Sequence, residues 1–220
     1  MIRVGQPSTG TAVRIMEAAR TCLLADGYAR LSTRRVADAA GVPLSQIHYH
    51  FGGKRGLILA LLDHENRRLV GRQRQMYAAT EPLWKRYEQA CDFLDDDLAS
   101  GYVRVLQEMI AAGWSDHEVA RRVLGLLGGW LDLLEGVARE AEERYGRLGP
   151  LTARDVAGLV GLSFLGGEAV ILLGDDRWAE RVRTALRSVA DLIRSFEEPG
   201  DRPAVASPAV GPDRAGWRGP

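Results

Sequence analysis

Cysteine is scarce in this chain. Cys22 and Cys91 are the only two, each set in an apolar helical pattern, which excludes a disulfide framework and fits a reducing, cytoplasmic setting. Lysine is equally scarce, with Lys54 and Lys85 the only two among 29 basic residues. Arginine's fork suits phosphate and guanine, although an arginine bias also follows codon composition. No run alternates apolar and polar residues, so strands are not expected, and no fixed period marks a solenoid. Met1 to Thr11 lacks the apolar core of a signal peptide. Val156 to Leu173 approaches the length of a membrane span, but Glu168 interrupts it and basic flanks are missing, so no membrane partner is expected. There is no Gly-rich phosphate loop and no Ser/Cys–His constellation. His48 and His50, two apart on a helix, point to different faces and cannot form a helical metal pair. Asp95, Asp96 and Asp97 also point apart, and are expected on a solvated face. The chain is therefore expected not to be an enzyme and to need no metal or cofactor.

What is present is an apolar fraction of 46% in 220 residues, enough for a real core, and a divided charge. Residues 1–80 hold 12 Lys and Arg against 5 Asp and Glu, a formal +7; residues 81–198 hold 14 against 22, a formal −8. A basic end and an acidic body point to a polyanion bound at one end only.

The stretch Leu31 to Leu57 organises that basic end. Ser32 or Thr33 can cap a first short helix, whose apolar face is Val36, Ala37 and Ala40. Gly41 sits where a left-handed residue ends a helix, and Pro43 suits the first turn of the next. The second short helix ends by Gly52-Gly53, and a long one starts at Lys54. This is the pattern of a DNA-binding helix-turn-helix. A preceding helix from about Thr11 to Ala25, with Ile15, Ala19, Cys22 and Leu23 on one stripe and Gly27 as its stop, covers the back of the pair.

The rest reads as helices throughout: Lys54 to about Ala79, Leu83–Ala99, Tyr102–Ala112, Asp116–Arg144, Ala153–Leu173 and Arg177–Phe196. Ser115 and Thr152 are the expected caps of the two that follow them. The expected organisation is a flexible arm (1–10), a helix-turn-helix domain (11–53), a connecting helix (54–80), a helical ligand-binding and dimerisation domain (81–198) and a disordered tail (199–220). The last two helices are expected to form a dimer interface, since DNA half-sites are paired, with Val156, Val160, Val182, Leu186, Val189 and Ile193 at the contact. The helix from Val156 is expected to be buried on all sides.

Ile15, Ala18, Ala19, Gly27, Tyr28, Thr33, Val36-Ala37, Ala40-Gly41-Val42, Ile47, Tyr49-His50-Phe51, Lys54 and Leu57 together resemble the DNA-binding domain of the tetracycline-repressor (TetR) family. The resemblance covers about the first quarter of the chain. It implies an all-α homodimer that binds double-stranded operator DNA, most often as a repressor, with a small-molecule effector in the C-terminal helices. Carried over by position, it implies phosphate contacts at Thr33, Tyr49, His50 and Lys54 and base-edge contacts at Leu44, Ser45, Gln46 and His48. Arg34 falls where some members touch DNA. Pro43, Ser45, Gln46, Ile47 and His48 depart from many relatives, so the operator sequence does not follow. The chemistry of the residues agrees: Gln46 can pair with adenine, Arg34 or Arg35 with guanine or phosphate, and Lys54 adds charge to a helix N-terminus.

Effector contacts are sought among Trp84, Tyr87, Phe93, Tyr102, Met109, Trp114, Trp130 and Glu168, residues that line cores and pockets alike. They suit a largely apolar or aromatic molecule. Glu168, in so apolar a helix, is expected to be paired with Arg154 or Arg177, protonated, or turned toward a cavity where a cationic ligand could use it.

Overall fold

The computed structural model describes residues 9–146 and 149–198. Most of the expected N-terminal arm, all of the expected disordered tail and part of the Gly146–Pro150 break lie outside the described residues. Among those described the secondary structure is entirely helical. The helices are α1 (Thr9–Arg30), α2 (Thr33–Ala40), α3 (Leu44–Phe51), α4 (Lys54–Tyr77), α5 (Leu83–Ser100), α6 (Tyr102–Gly113), α7 (His117–Tyr145), α8 (Ala153–Ile171) and α9 (Asp176–Glu197). None is long and apolar enough to cross a membrane.

The expected breaks hold. Gly27 interrupts α1 with non-helical φ/ψ of 75° and 165°, leaving one further turn to Arg30. Gly41 takes φ 62°, ψ 41°, and its N–H reaches back toward the Ala37 and Asp38 carbonyls. That left-handed residue turns the chain from α2 into α3 within two further residues. Thr152 and Asp155 form a reciprocal capping box on α8. Two cap expectations are corrected. Ser32 occupies the N-cap position of α2 without a side-chain hydrogen bond. Asp116, not Ser115, caps α7 by accepting from the Glu118 and Val119 N–H groups, while the Ser115 hydroxyl donates to the Ala112 carbonyl.

One core runs without interruption from the helix-turn-helix into the body. Ile15, Leu23, Val36, Ile47, Leu57, Ile58, Leu61 and Leu62 pack in the same cluster as Val103, Val105, Met109, Val119 and Val123. Farther along, α5, α7, α8 and α9 enclose smaller clusters around Leu134, Ala157, Tyr87, Phe164 and Leu186. Ion pairs fasten α9 to α5: Arg183–Asp95 at 2.9 Å, Arg187–Asp92 at 2.6 Å and Arg194–Glu88 at 3.5 Å. Exposed pairs of this kind contribute about 0–1 kcal/mol each, so the apolar seam beneath them holds the helix. Asp95 and Asp97 are thus not simply solvated; Asp97 accepts from Arg72 of α4 at 2.7 Å.

That seam changes the expectation for dimerisation. Val182, Leu186, Val189 and Ile193 pack inside their own subunit with Tyr87, Cys91, Leu94 and Phe164. Val156 and Val160 line a cavity between α7, α8 and α9. Beside them Leu159, Leu162 and Leu173 on or just beyond α8, and Trp178, Leu192 and Phe196 on α9, are about half-exposed or more, with Leu159, Leu192 and Phe196 at the rim of that cavity. The apolar face of α9 is wider than the surface that α5 and α8 cover, so its Trp178, Leu192 and Phe196 edge is left outward. α8 correspondingly buries one face through Ala153, Ala157, Gly161, Phe164 and Gly167, rather than all sides.

At the α3–α4 junction a Cβ on Gly56 would stand 1.9 Å from the Phe51 carbonyl oxygen, a backbone atom that cannot yield. Gly56→Ala is expected to destabilise the protein by about 3 kcal/mol or more. Gly125→Ala in α7, with open space around the added methyl, is expected to stabilise by about 0.5–1 kcal/mol. Urea unfolding followed by circular dichroism measures both.

Candidate nucleic-acid interface and effector cavity

α3 divides into two faces. Leu44, Ile47 and Phe51 point inward at i, i+3, i+7; Ile47 is fully buried and the other two pack on the core edge. Ser45, His48 and Tyr49 point outward, and Tyr49 is 81% exposed although it is a large aromatic. A helix anchored on one side by full burial presents the other side rigidly, as a groove-reading helix must. Gln46 is partly exposed beside this row. His50 is partly buried, its ring edge-on to Tyr49 with centroids 5.0 Å apart.

The remaining expected contacts are placed as follows. Thr33 is partly exposed at the start of α2, and Arg34 is exposed beside it. Arg35 is exposed but paired with Asp26 of α1. Lys54 donates to the Ala29 carbonyl at 3.3 Å and lies 4.5 Å from the Tyr28 ring centre. Partial burial holds its ammonium below the usual lysine range. Lys54 therefore ties α4 to the end of α1. Leu44 supports the helix from the core side, where an isobutyl group is removed from base edges.

The domain is clamped to the body by specific contacts. Glu108 of α6 accepts from the Tyr28 N–H at 3.2 Å, and Arg20 donates to the Ser100 carbonyl at 3.0 Å. Arg55, at the start of α4, meets Asp116 at 3.4 Å and Glu118 at 2.7 Å, at the start of α7.

Apart from an open, charged recess of about 450 Å³ between the end of α7 and the start of α8, two spaces in the body lie one beyond the other along α5, α7 and α8. The larger, about 360 Å³, is bounded by apolar side chains including Tyr87, Leu134, Val156, Val160 and Ile193. Its polar fringe is Ser163, Tyr145 and Glu197. Glu197 accepts from the Leu83 and Trp84 N–H groups at 2.9 Å each, capping α5, and from the Tyr145 hydroxyl. Burial opposes its ionisation, but these hydrogen bonds hold the carboxyl below the usual range. The smaller space, a chamber of about 30 Å³, has a mixed border: Asn66 and Gln73 of α4, Asp97, Tyr102, Trp130 and Glu168 stand among leucines and Phe164. The Trp130 indole donates to Gln73 at 2.7 Å, and the Tyr102 hydroxyl to Asn66 at 3.2 Å. Glu168 meets neither Arg154 nor Arg177: its Oε2 is enclosed without a partner, and burial pushes its pKa up to about 8.

Of the side chains sought as effector contacts, Tyr87 borders the large cavity and Tyr102, Trp130 and Glu168 the chamber. The others lie elsewhere. Met109 is sealed in the core, and Trp114 is 84% exposed on the turn before α7. Trp84 stacks under Arg194 at 3.7 Å, and Phe93 under Arg72 at 4.0 Å. Asn66, Gln73 and Tyr145 escaped the sequence reading. Asn66, Leu69 and Gln73 do fall at i, i+3, i+7, so two amides on the inward stripe of an otherwise apolar helix face were the available signal.

An outward row on a rigidly held α3, in a helical domain joined to a cavity-bearing body, is the geometry of a helix-turn-helix with a separate helical body behind it. Residues 15–61 match the bacterial regulatory proteins of the tetR family. The family likeness thus rests on this N-terminal domain. It is 34% identical over 69 residues to the transcriptional repressor AcnR of Corynebacterium glutamicum, an alignment covering 31% of this chain and 37% of AcnR. It is 32% identical over 83 residues to the transcriptional regulator TtgR of Pseudomonas putida, covering 37% and 40%. The chain thus matches well under half the length of these relatives. Solved structures carry the likeness to the whole fold. Bacillus subtilis FadR in complex with stearoyl-CoA superposes with a TM-score of 0.70 at 16% identity, covering 84% of this chain and 98% of that one. A choline complex of a regulator from Saccharomonospora viridis gives 0.70 at 17%, covering 84% and 97%.

The raised Glu168 pKa fixes a sign. In the unfolded chain this carboxyl ionises near its ordinary 4.5, in the folded one near 8. The folded state therefore holds the extra proton between these values, and its stability falls as pH rises from about 4.5 to about 8. Glu168→Gln is expected to lack this component and to be the more stable protein above pH 8. The difference between the two proteins' urea midpoints at pH 5, 7 and 9 measures it.

Proposed function

We propose that this protein is a ligand-responsive transcriptional regulator, acting as a repressor, that binds an inverted-repeat operator as a homodimer and leaves it when a small, largely apolar molecule enters the body. The observation that carries this reading is the outward row Ser45, His48 and Tyr49 on a helix locked by the fully buried Ile47, within a TetR-family domain. Ser45, Gln46 and His48 offer hydrogen-bonding groups to base edges, and Tyr49, Thr33 and Arg34 flank them for phosphate. The TetR-family relatives named as a repressor and a regulator support the DNA-binding role.

Two-fold pairing finds support in the outward apolar stripes of α8 and α9. Leu159, Leu162, Leu192 and Trp178 are each more than half exposed, a patch of the kind that marks a protein interface. A four-helix packing of α8 and α9 with their copies would cover it and place two α3 helices for successive major grooves, about 34–36 Å apart. The 360 Å³ cavity supports an effector site, as do the ligand complexes of proteins with the same fold. Release follows if the bound form of the body favours a tilt of α4 that breaks this spacing.

Two measurements test the reading. His48→Ala with Tyr49→Ala, both exposed and outside the core, is expected to weaken binding of a fluorescent operator duplex by about a hundredfold without changing the melting temperature. Unaltered affinity would remove α3 from the interface. Leu162→Asp with Leu192→Asp is expected to yield a folded monomer in sedimentation velocity, with operator binding lost; a persistent dimer would place the interface elsewhere.

A further inference from the structure

The chamber around Glu168 is chemically one-sided. Its border includes two carboxylates, Glu168 and Asp97, and no Lys, Arg or His. Asp97 is already engaged by Arg72, whose guanidinium also lies against Phe93. Glu168 has no charged partner: Oε2 is enclosed and accepts from no group, and beside the carboxyl stands only the neutral Gln107 side chain, which favours its ionised form. The side-chain oxygens of Asn66 and Gln73 each accept one hydrogen bond here and retain a second lone pair. Tyr102, Trp130 and Phe164 supply aromatic walls. An orphan carboxylate, amide oxygens and aromatic faces all call for a donor-rich cation.

The chamber's position adds a second requirement. Along α5 the lining runs from Tyr87 in the large cavity to Ala90 and Leu94 in the chamber; along α7 from Leu134 to Trp130; along α8 from Val160 to Phe164 and Glu168. These are steps of three or four residues, so the two spaces are stacked one helical turn apart. The Tyr87 and Phe164 rings, edge to face with centroids 6.1 Å apart, form the partition. The chamber's 30 Å³ accommodates a group of only a few atoms, while the cavity's 360 Å³ of mainly apolar surface accommodates a hydrocarbon chain.

We infer that the effector of this protein is an alkyl amine, with its ammonium in the chamber on Glu168 and its chain in the large cavity, Tyr87 and Phe164 parting to join the two. The inference rests on the effector reading above and gives that site its ligand class. A long-chain carboxylate or acyl phosphate would meet Glu168 at one end and Glu197 at the other. The ammonium's three donors match Glu168 Oε2, Gln73 and Asn66. Asn66 and Gln73 belong to α4, so the cation engages the helix that carries the DNA-binding domain.

A proton signature accompanies binding. The groups facing Glu168 are Asp97 of α5, itself paired with Arg72 of α4, and the Tyr102 hydroxyl and neutral Gln107 side chain of α6; α7 contributes the uncharged Trp130. Burial pushes the Glu168 pKa up to about 8 and a neighbouring cation draws it down, so the carboxyl gives up its proton as the cation arrives. Binding at pH 7 therefore releases about one proton.

The test is calorimetric titration of the full-length protein at pH 7 with n-decylamine, n-decanol and n-decanoate, each below its micelle-forming concentration, in two buffers of different ionisation enthalpy. The expected order is decylamine about ten- to a hundredfold tighter than decanol, with decanoate weakest, and proton release for decylamine alone. Glu168→Gln, nearly the same shape, is expected to reduce decylamine to the affinity of decanol and leave decanol unchanged. The wild-type ligand series stands without the variant. Equal affinities, preference for decanoate, no binding of decylamine, or an unchanged decylamine affinity in Glu168→Gln would each overturn the inference. Operator affinity measured in parallel separates the two claims. Release of DNA by another compound without amine binding overturns this inference and leaves the regulator reading intact. Amine binding in the expected pattern without a change in DNA affinity supports the ligand assignment and overturns release by it.

Discussion

The helix α4 is buried twice along its length, in two different cores. Near its start, Leu57, Ile58, Leu61 and Leu62 are almost wholly enclosed with α1, α2 and α3; near its end, Val70, Gln73, Met76 and Tyr77 are buried in the body. At 24 residues it spans about 36 Å. A helix fixed at both ends by close packing transmits displacement as a rod, because neither core tolerates a void or an overlap cheaply. The DNA-binding domain therefore cannot change its attitude to the body without repacking one of these ends. The core that continues into α6 and α7, with Glu108 and Arg55 at its margins, resists such movement further.

The body complements that rod. Its interior is apolar where α7, α8 and α9 meet, and polar where α4 crosses α5, α6 and α8. Asn66 and Gln73 are the amides α4 contributes to the polar end, and each already holds a side chain of another helix through Tyr102 or Trp130. A buried network with an unpartnered carboxyl is an energetic liability in an empty protein. Its location beside α4 gives the protein a place where occupancy and helix position share the same hydrogen bonds.

Much of the N-terminal half was legible from sequence because single residues dictate its backbone. Gly41 and Gly27 sit where the chain turns, and the Ile15, Ala19, Cys22, Leu23 stripe has one period and is buried along its length. The C-terminal half was legible in helix number and approximate ends but not in facing. The apolar face of α9 is wider than the surface its neighbours cover, and the packing of α5 and α8 decides which edge stays out. Val182, Leu186, Val189 and Ile193 therefore lie inside the subunit while Trp178 and Leu192 face out. Cap chemistry was similarly ambiguous where Ser115 and Asp116 are adjacent, since the residue whose backbone is extended caps and the other does not. Glu168 was identified as the informative carboxylate from its apolar surroundings, but its neighbours come from α4, α5, α6 and α7, a convergence that no local spacing encodes.

A chain that reads DNA as a symmetric pair leaves a symmetric mark on the sequences it prefers. Selection of bound duplexes from a random pool by the purified full-length protein tests this most directly. The expected result is enrichment of an inverted repeat whose half-site centres lie about one helical turn, or a whole number of turns, apart. Enrichment of a single asymmetric site, or of no sequence at all, would contradict it.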